Sequence, residues 1–172
     1  MNASIIQVKT TKDNPEVSQL FGEYAQWFST MFKQIYGVNI EVKDIQEKLL
    51  QFDEFMPPRG SLLLCYANEA LAGIACMRDI GMETGEIKRM YVRPSFRQMG
   101  LGRALLNRLI DEANVIGYRC LRLDSARFMT EAHQLYRSFG FGEIAPYEGS
   151  EIVSEFPKEF HSAWIYMEKS LA

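Results

Sequence analysis

No stretch of this sequence approaches the roughly 18 consecutive apolar residues that a membrane-spanning helix needs, and the short apolar run between Met1 and Pro15 is broken by polar and charged residues. Neither a span nor a cleaved leader is expected. Cysteine is scarce: Cys65, Cys76 and Cys120 are three in number and form no CxxC pair. That argues against a disulfide framework and gives no reason to expect a metal site. Each lies in an apolar run that reads as a strand, so all three are expected as core thiols in a reducing compartment. A dense Lys/Arg stripe is also missing, with 19 basic residues against 22 acidic ones and a formal net charge of -3. A nucleic-acid partner is therefore not expected. The chain has no Pro/Gly/Ser tract of linker length and no internal repeat. One domain over residues 1–172 is expected, with no membrane partner and a cytoplasmic location.

What is present is the composition of a globular chain, 47% hydrophobic and 24% charged, long enough at 172 residues to bury a core unaided. Ile5 to Lys9 reads as a short strand. Asn14-Pro15-Glu16 then opens a helix whose apolar positions run from Val17 to Ile35 and which Gly37 stops. A second helix begins near Asp44, with Ile45, Leu49 and Phe52 on one face. Strands Ser61 to Ala67 and Ala70 to Arg78 are joined at Asn68-Glu69 as an antiparallel hairpin. Glu86 to Val92 follows as a third strand, then a helix from Leu101 to Ile116, with Leu101, Leu105, Leu109, Ala113 and Ile116 along one face. Cys120 to Ser125, Thr130 to Ser138 and Ala163 to Glu168 read as strand, helix and strand. This order predicts an α/β (α+β) fold, a mixed and partly antiparallel central sheet with helices on both faces.

The informative segment is Arg97-Gln98-Met99-Gly100-Leu101-Gly102-Arg103-Ala104, between the strand ending at Val92 and the Leu101 helix. The start of a helix leaves backbone N–H groups without partners and concentrates partial positive charge, which attracts anions such as phosphate. Gly100 and Gly102 present no Cβ to an approaching pyrophosphate, and Arg97 and Arg103 supply charge beside it. The dinucleotide fingerprint needs a third glycine where Leu105 stands, and the ATP P-loop needs G-K-[ST] where this chain has Gly102-Arg103-Ala104. A pyrophosphate cradle of another type remains, beside the plainer reading of a glycine turn that packs helix on strand.

Those residues resemble the GCN5-related N-acetyltransferase (GNAT) family. Arg97 to Gly102 matches its [RQ]-x-x-G-x-[GA] motif, Glu86 to Val92 with Arg93-Pro94 is similar to the strand before it, and Ala132 to Phe141 is similar to its A-x-x-L-Y-x-x-x-G-F ending. The resemblance implies an N-acetyltransferase with acetyl-CoA as acyl donor. It further implies that Arg97, Gln98, Met99, Gly100, Leu101, Gly102 and Arg103 hold the pyrophosphate, and that main-chain groups of Met90, Tyr91 and Val92 pair with the pantetheine arm as an added strand does. Many members carry Asn three residues before the alanine of the last motif, where this chain has Met129.

By the same resemblance Glu86 stands where relatives place a general base, with Glu83 in reserve, and Tyr136 matches the tyrosine that points at the sulfur. Cys120 as an acyl carrier has no assignable base, so direct transfer in a ternary complex is expected. No partner is identifiable for His133. The acceptor side falls around Phe28 to Phe55 and Glu143 to His161, the latter rich in glutamate, and the acceptor is an amine of unspecified kind, small molecule or peptide. A non-catalytic acyl-CoA-binding module is the alternative. Edge strands near the C-terminus would suit a homodimer.

Overall fold

Helix α1 (Pro15–Tyr36) starts where Asn14 can cap it: the Asn14 Oδ1 accepts hydrogen bonds from the N–H groups of Glu16 and Val17 at 3.1 and 3.2 Å. Pro15 occupies the first turn, where its missing N–H costs nothing. At the other end Gly37 takes φ 67° and closes the helix. The structure, a computed structural model, describes residues 2–10 and 14–171.

The remaining elements are β1 (Ala3–Gln7), α2 (Val42–Leu49), β2 (Ser61–Ala67), β3 (Ala70–Asp79), β4 (Thr84–Val92), α3 (Leu101–Ile116), β5 (Cys120–Ala126), α4 (Thr130–Ser138), β6 (Gly142–Ile144), α5 (Glu151–Glu155) and β7 (Trp164–Ser170). The strands form a single mixed sheet in the order β1-β2-β3-β4-β5-β7-β6. All neighbours are antiparallel except β4 and β5. Leu101, Leu105 and Leu109 of α3 and Tyr136 of α4 bury one face of the sheet. Val17, Leu20 and Phe21 of α1 and Leu49 of α2 bury the other. A third cluster, built on Phe32, Ile152, Trp164 and Tyr166, closes the end of the second face.

Several expected boundaries move. The first strand sits two residues earlier than Ile5 to Lys9. Phe52 lies beyond α2, although it is buried and its ring meets Phe21 at 6.5 Å between centroids. The hairpin at Asn68-Glu69 forms with both residues at positive φ, 47° and 68°, as a two-residue turn of matching twist requires. β6 and α5 are not anticipated by the sequence reading. They are three and five residues long, too short to leave a periodic signal.

Candidate active site

Strands β4 and β5 pair from Thr84–Cys120 to Ile87–Leu123 and then part. On its other side β4 carries a bulge: Cys76 pairs with Lys88 and Ile74 with Tyr91, so one residue of β3 opposes two of β4. Arg89 takes φ 53° within it. The bulge turns the strand away from β5 and opens a wedge along residues 88–92 of β4, whose main chain no longer pairs with β5.

A groove of about 800 Å³ enters this wedge between α1, the segment after β4, and α4. Met90, Tyr91, Val92, Arg97, Gln98, Gly100, Leu101, Gly102 and Arg103 all line it, as does Tyr136. Met99 does not; it sits between Gln98 at φ 60° and Gly100 at φ 80°, on the crest of the turn, and is half exposed. Arg97 is held back by a 3.0 Å bond from its Nε to the Val92 carbonyl and lies 5.5 Å from the Trp27 ring. Arg103 bonds the Ser138 hydroxyl at 3.1 Å and stacks on Phe139, tying α3 to α4. A β-carbon on Gly102 would meet Leu135 and Met90 at 3.4 and 3.5 Å, so any larger side chain there would fill the groove. Free helix N–H groups and an open strand edge together fit the pyrophosphate and the two amides of coenzyme A.

A second cavity of about 310 Å³ opens on the other side of the wedge, and Met129 lines both. Its walls are Tyr24, Phe28, Ile40, Ile45, Ile152, Phe156 and Trp164, and its floor is charged. Lys88 Nζ stands 3.3 Å from Asp124 and 3.1 Å from Glu151, and Ser150 donates to Asp124 at 2.9 Å. Burial opposes the Lys88 ammonium, yet the carboxylates of Asp124, Glu86 and Glu151 outweigh it and raise its pKa above the ordinary lysine value. Burial also pushes Tyr24 up to about 12 and Tyr136 well above the usual phenol range, and Asp124 adds to both shifts. Tyr24, Lys88 and Asp124 thus line the second cavity, and Tyr136 lines the groove on the other side of the wedge.

The family profile described as the Acetyltransferase (GNAT) family matches residues 21–141. The chain belongs to this family. An uncharacterised N-acetyltransferase of Schizosaccharomyces pombe is 31% identical over 149 residues, covering 85% of this chain and 86% of the relative. Among solved structures, a GNAT-family acetyltransferase of Staphylococcus aureus superposes with a TM-score of 0.73 at 20% identity, over 99% of this chain and all of the other. An acetyltransferase of Salmonella typhimurium, solved with its cofactor acetyl-CoA, superposes with a TM-score of 0.65 at 20% identity, over 100% of this chain and 95% of that one. Membership makes the protein an acyl-CoA-dependent N-acetyltransferase whose acyl donor is acetyl-CoA. Among the described residues no helix is long and apolar enough to cross a membrane.

The two glutamates singled out in the sequence line neither GNAT cavity. Glu86 is fully buried: Arg78 Nε donates to its Oε2 at 2.6 Å and the Tyr147 hydroxyl to its Oε1 at 2.7 Å. It is not a solvated strand-end carboxylate, and burial raises its pKa above the ordinary value. Glu83 is exposed in the turn before β4 and pairs with Arg119 at 3.0 Å. Burial first, then Glu168, pushes the Cys120 thiol up to about 11, so it is no ready nucleophile.

Tyr24, Lys88 and Asp124 were not expected at the site, whereas Glu151 belongs to the glutamate-rich stretch expected on the acceptor side. A Lys two residues after a Glu in one strand, and an Asp in the next, carry no spacing that announces a cluster. His133 has a partner after all: its Nε2 lies 3.1 Å from the Ser125 hydroxyl, and the ring is buried.

Proposed function

We propose that the 310 Å³ cavity holds a primary amine, that the groove holds acetyl-CoA, and that transfer is direct, in a ternary complex across the β4/β5 wedge. The observation that carries this reading is the meeting of the two cavities where β4 and β5 part, with Met129 common to both. Acetyl-CoA supplies the thioester whose acetyl carbon the amine nitrogen attacks, with the coenzyme A thiol as leaving group. In this scheme the free N–H groups at the start of α3 take the pyrophosphate, and the main chain of Met90, Tyr91 and Val92 pairs with the pantetheine. A backbone N–H of the bulged β4 segment polarises the thioester carbonyl. Tyr136, whose hydroxyl has only the Met90 sulfur at 3.9 Å as its partner among the described residues, donates to the coenzyme A sulfur as negative charge develops there.

The carboxylate in contact with the acceptor is assigned to Asp124, which holds the ammonium and receives its proton directly or through water. Glu86 stands behind it as a positioning residue, fixing Arg78 and Tyr147 beneath the cavity floor. The reading places the enzyme in the cytoplasm, supported by three unpaired thiols. Its acidic balance supports the absence of a nucleic-acid partner. A homodimer through the open edge of β6 fits the same scheme. A spectrophotometric thiol-release assay with acetyl-CoA tests the function. Release that depends on an added amine is expected, and binding of acetyl-CoA without release for any amine would reduce the protein to a binding module.

A further inference from the structure

Resting on the assignment of the 310 Å³ cavity to the acceptor, we infer that the acceptor is a monoamine with an apolar or aromatic body and no carboxylate. The cavity's walls and the pairing of its charges carry this inference.

Three cations line the cavity, and each is committed. Arg89 donates to the carbonyls of Leu49 at 3.0 Å, Gln51 at 3.3 Å and Lys48 at 3.0 Å, and its guanidinium lies 4.6 Å from the Phe55 ring. It caps the C-terminal end of α2 and is not free for a ligand. Lys48 pairs with Glu155 and stands 5.4 Å from the Phe156 ring, joining α2 to α5, the two helices that wall the cavity. Lys88 is matched by two carboxylates, Asp124 and Glu151.

The acidic side is not used up in the same way. Asp124 and Glu151 share the one Lys88 ammonium, and Asp44 makes no ion pair with any described residue. At the floor an entering ammonium therefore finds two carboxylates, Asp124 and Glu151, facing the one Lys88 ammonium, and the faces of Tyr24, Phe28, Phe156 and Trp164 receive a ring, a chain or the cation itself. A ligand carboxylate finds no uncommitted cation. It would be desolvated beside Asp124 and Glu151, which is costly for any charge without a partner. At about 310 Å³ the cavity is at the small end of ligand sites, a size that suits a small amine.

Matched acceptors test this: phenethylamine against phenylalanine and tyramine against tyrosine, by thiol release with acetyl-CoA, with a lysine-containing peptide as a third acceptor. The amine of each pair should exceed its amino acid in kcat/KM by roughly a hundredfold or more. Equal use of phenylalanine and phenethylamine, or a peptide lysine outpacing both, would overturn the inference and leave the acetyl-transfer reading standing. No release with any acceptor would overturn that reading and the inference with it. Ile45→Lys adds a fourth cation to the cavity wall. It should raise phenylalanine relative to phenethylamine, and an unchanged ratio in a variant that still turns over the amine would count against the electrostatic basis.

Discussion

The Tyr147 hydroxyl donates a 2.7 Å hydrogen bond to Oε1 of Glu86, two residues 61 apart in the chain and both buried. Burial and the neighbouring Glu86 charge together raise the Tyr147 pKa far above the usual phenol range, so it remains a donor at any working pH. Tyr147→Phe leaves a buried carboxylate oxygen without its donor and should cost about 1–3 kcal/mol of stability. Urea denaturation checks this, and an unchanged midpoint would show that water replaces the phenol.

Glu86→Gln separates the positioning role from that of a base. The variant weakens the Arg78 contact but leaves Arg78 bonded to Glu54 at 2.9 Å and to the Gly149 carbonyl at 3.0 Å. Stability should fall by about 2 kcal/mol, with turnover reduced at all pH values. A rate deficit that vanishes at high pH in a variant of full stability would return the base to Glu86.

Gly102→Val directs its γ-methyl groups into the groove, since the β-carbon already meets Leu135 and Met90. Acetyl-CoA affinity should drop at least about tenfold while the α3 core residues still pack. Calorimetry on the folded variant measures this, and undiminished affinity would move the pyrophosphate elsewhere.

Tyr136→Phe removes only a hydroxyl whose partner is a thioether, so stability should change by less than about 1 kcal/mol. Single-turnover acetyl transfer should slow by roughly a hundredfold to ten-thousandfold at constant acetyl-CoA affinity. An unchanged single-turnover rate would make the ring a packing element beside Phe141.

His133 makes stability depend on pH. Burial, then Arg137 on α4, lowers its pKa below 6.5; Arg127 adds to this, while the Ala126 backbone and Glu143 of β6 oppose it. The unfolded chain takes the proton near pH 6.5 and the folded chain only at lower pH, so this stability is present above 6.5 and is lost as pH falls through the folded value. Melting temperature should fall between neutral pH and the acid side of 6.5, and His133→Gln should flatten that slope. Identical slopes would remove His133 as the source.

How far the site was legible follows from the range of the signals. The loop from Arg97 to Arg103 and the α4 segment around Tyr136 were readable because glycine placement and apolar period act within a few residues, and nine of the ten expected coenzyme A positions line the groove. Met99 lies on the crest of the turn and not on the groove wall, because positive φ on both sides of it is a property of the folded turn. Glu86 was legible as a position and not as an environment. Its burial depends on Arg78 from a neighbouring strand and on Tyr147, which lies after β6.

The sequence alone determined the helices α1, α3 and α4, the β2/β3 hairpin and the glycine loop, all products of capping, turn chemistry and local periodicity. The tertiary structure decided where β4 and β5 part, and with that the acceptor cavity. It brings Lys88 to Asp124 across 36 residues and to Glu151 from a helix too short to announce itself. Neither pairing has a local cause: the parallel register that ends at Ile87–Leu123 sets Lys88 beside Asp124 where the strands part, and burial then obliges each charge to find a partner.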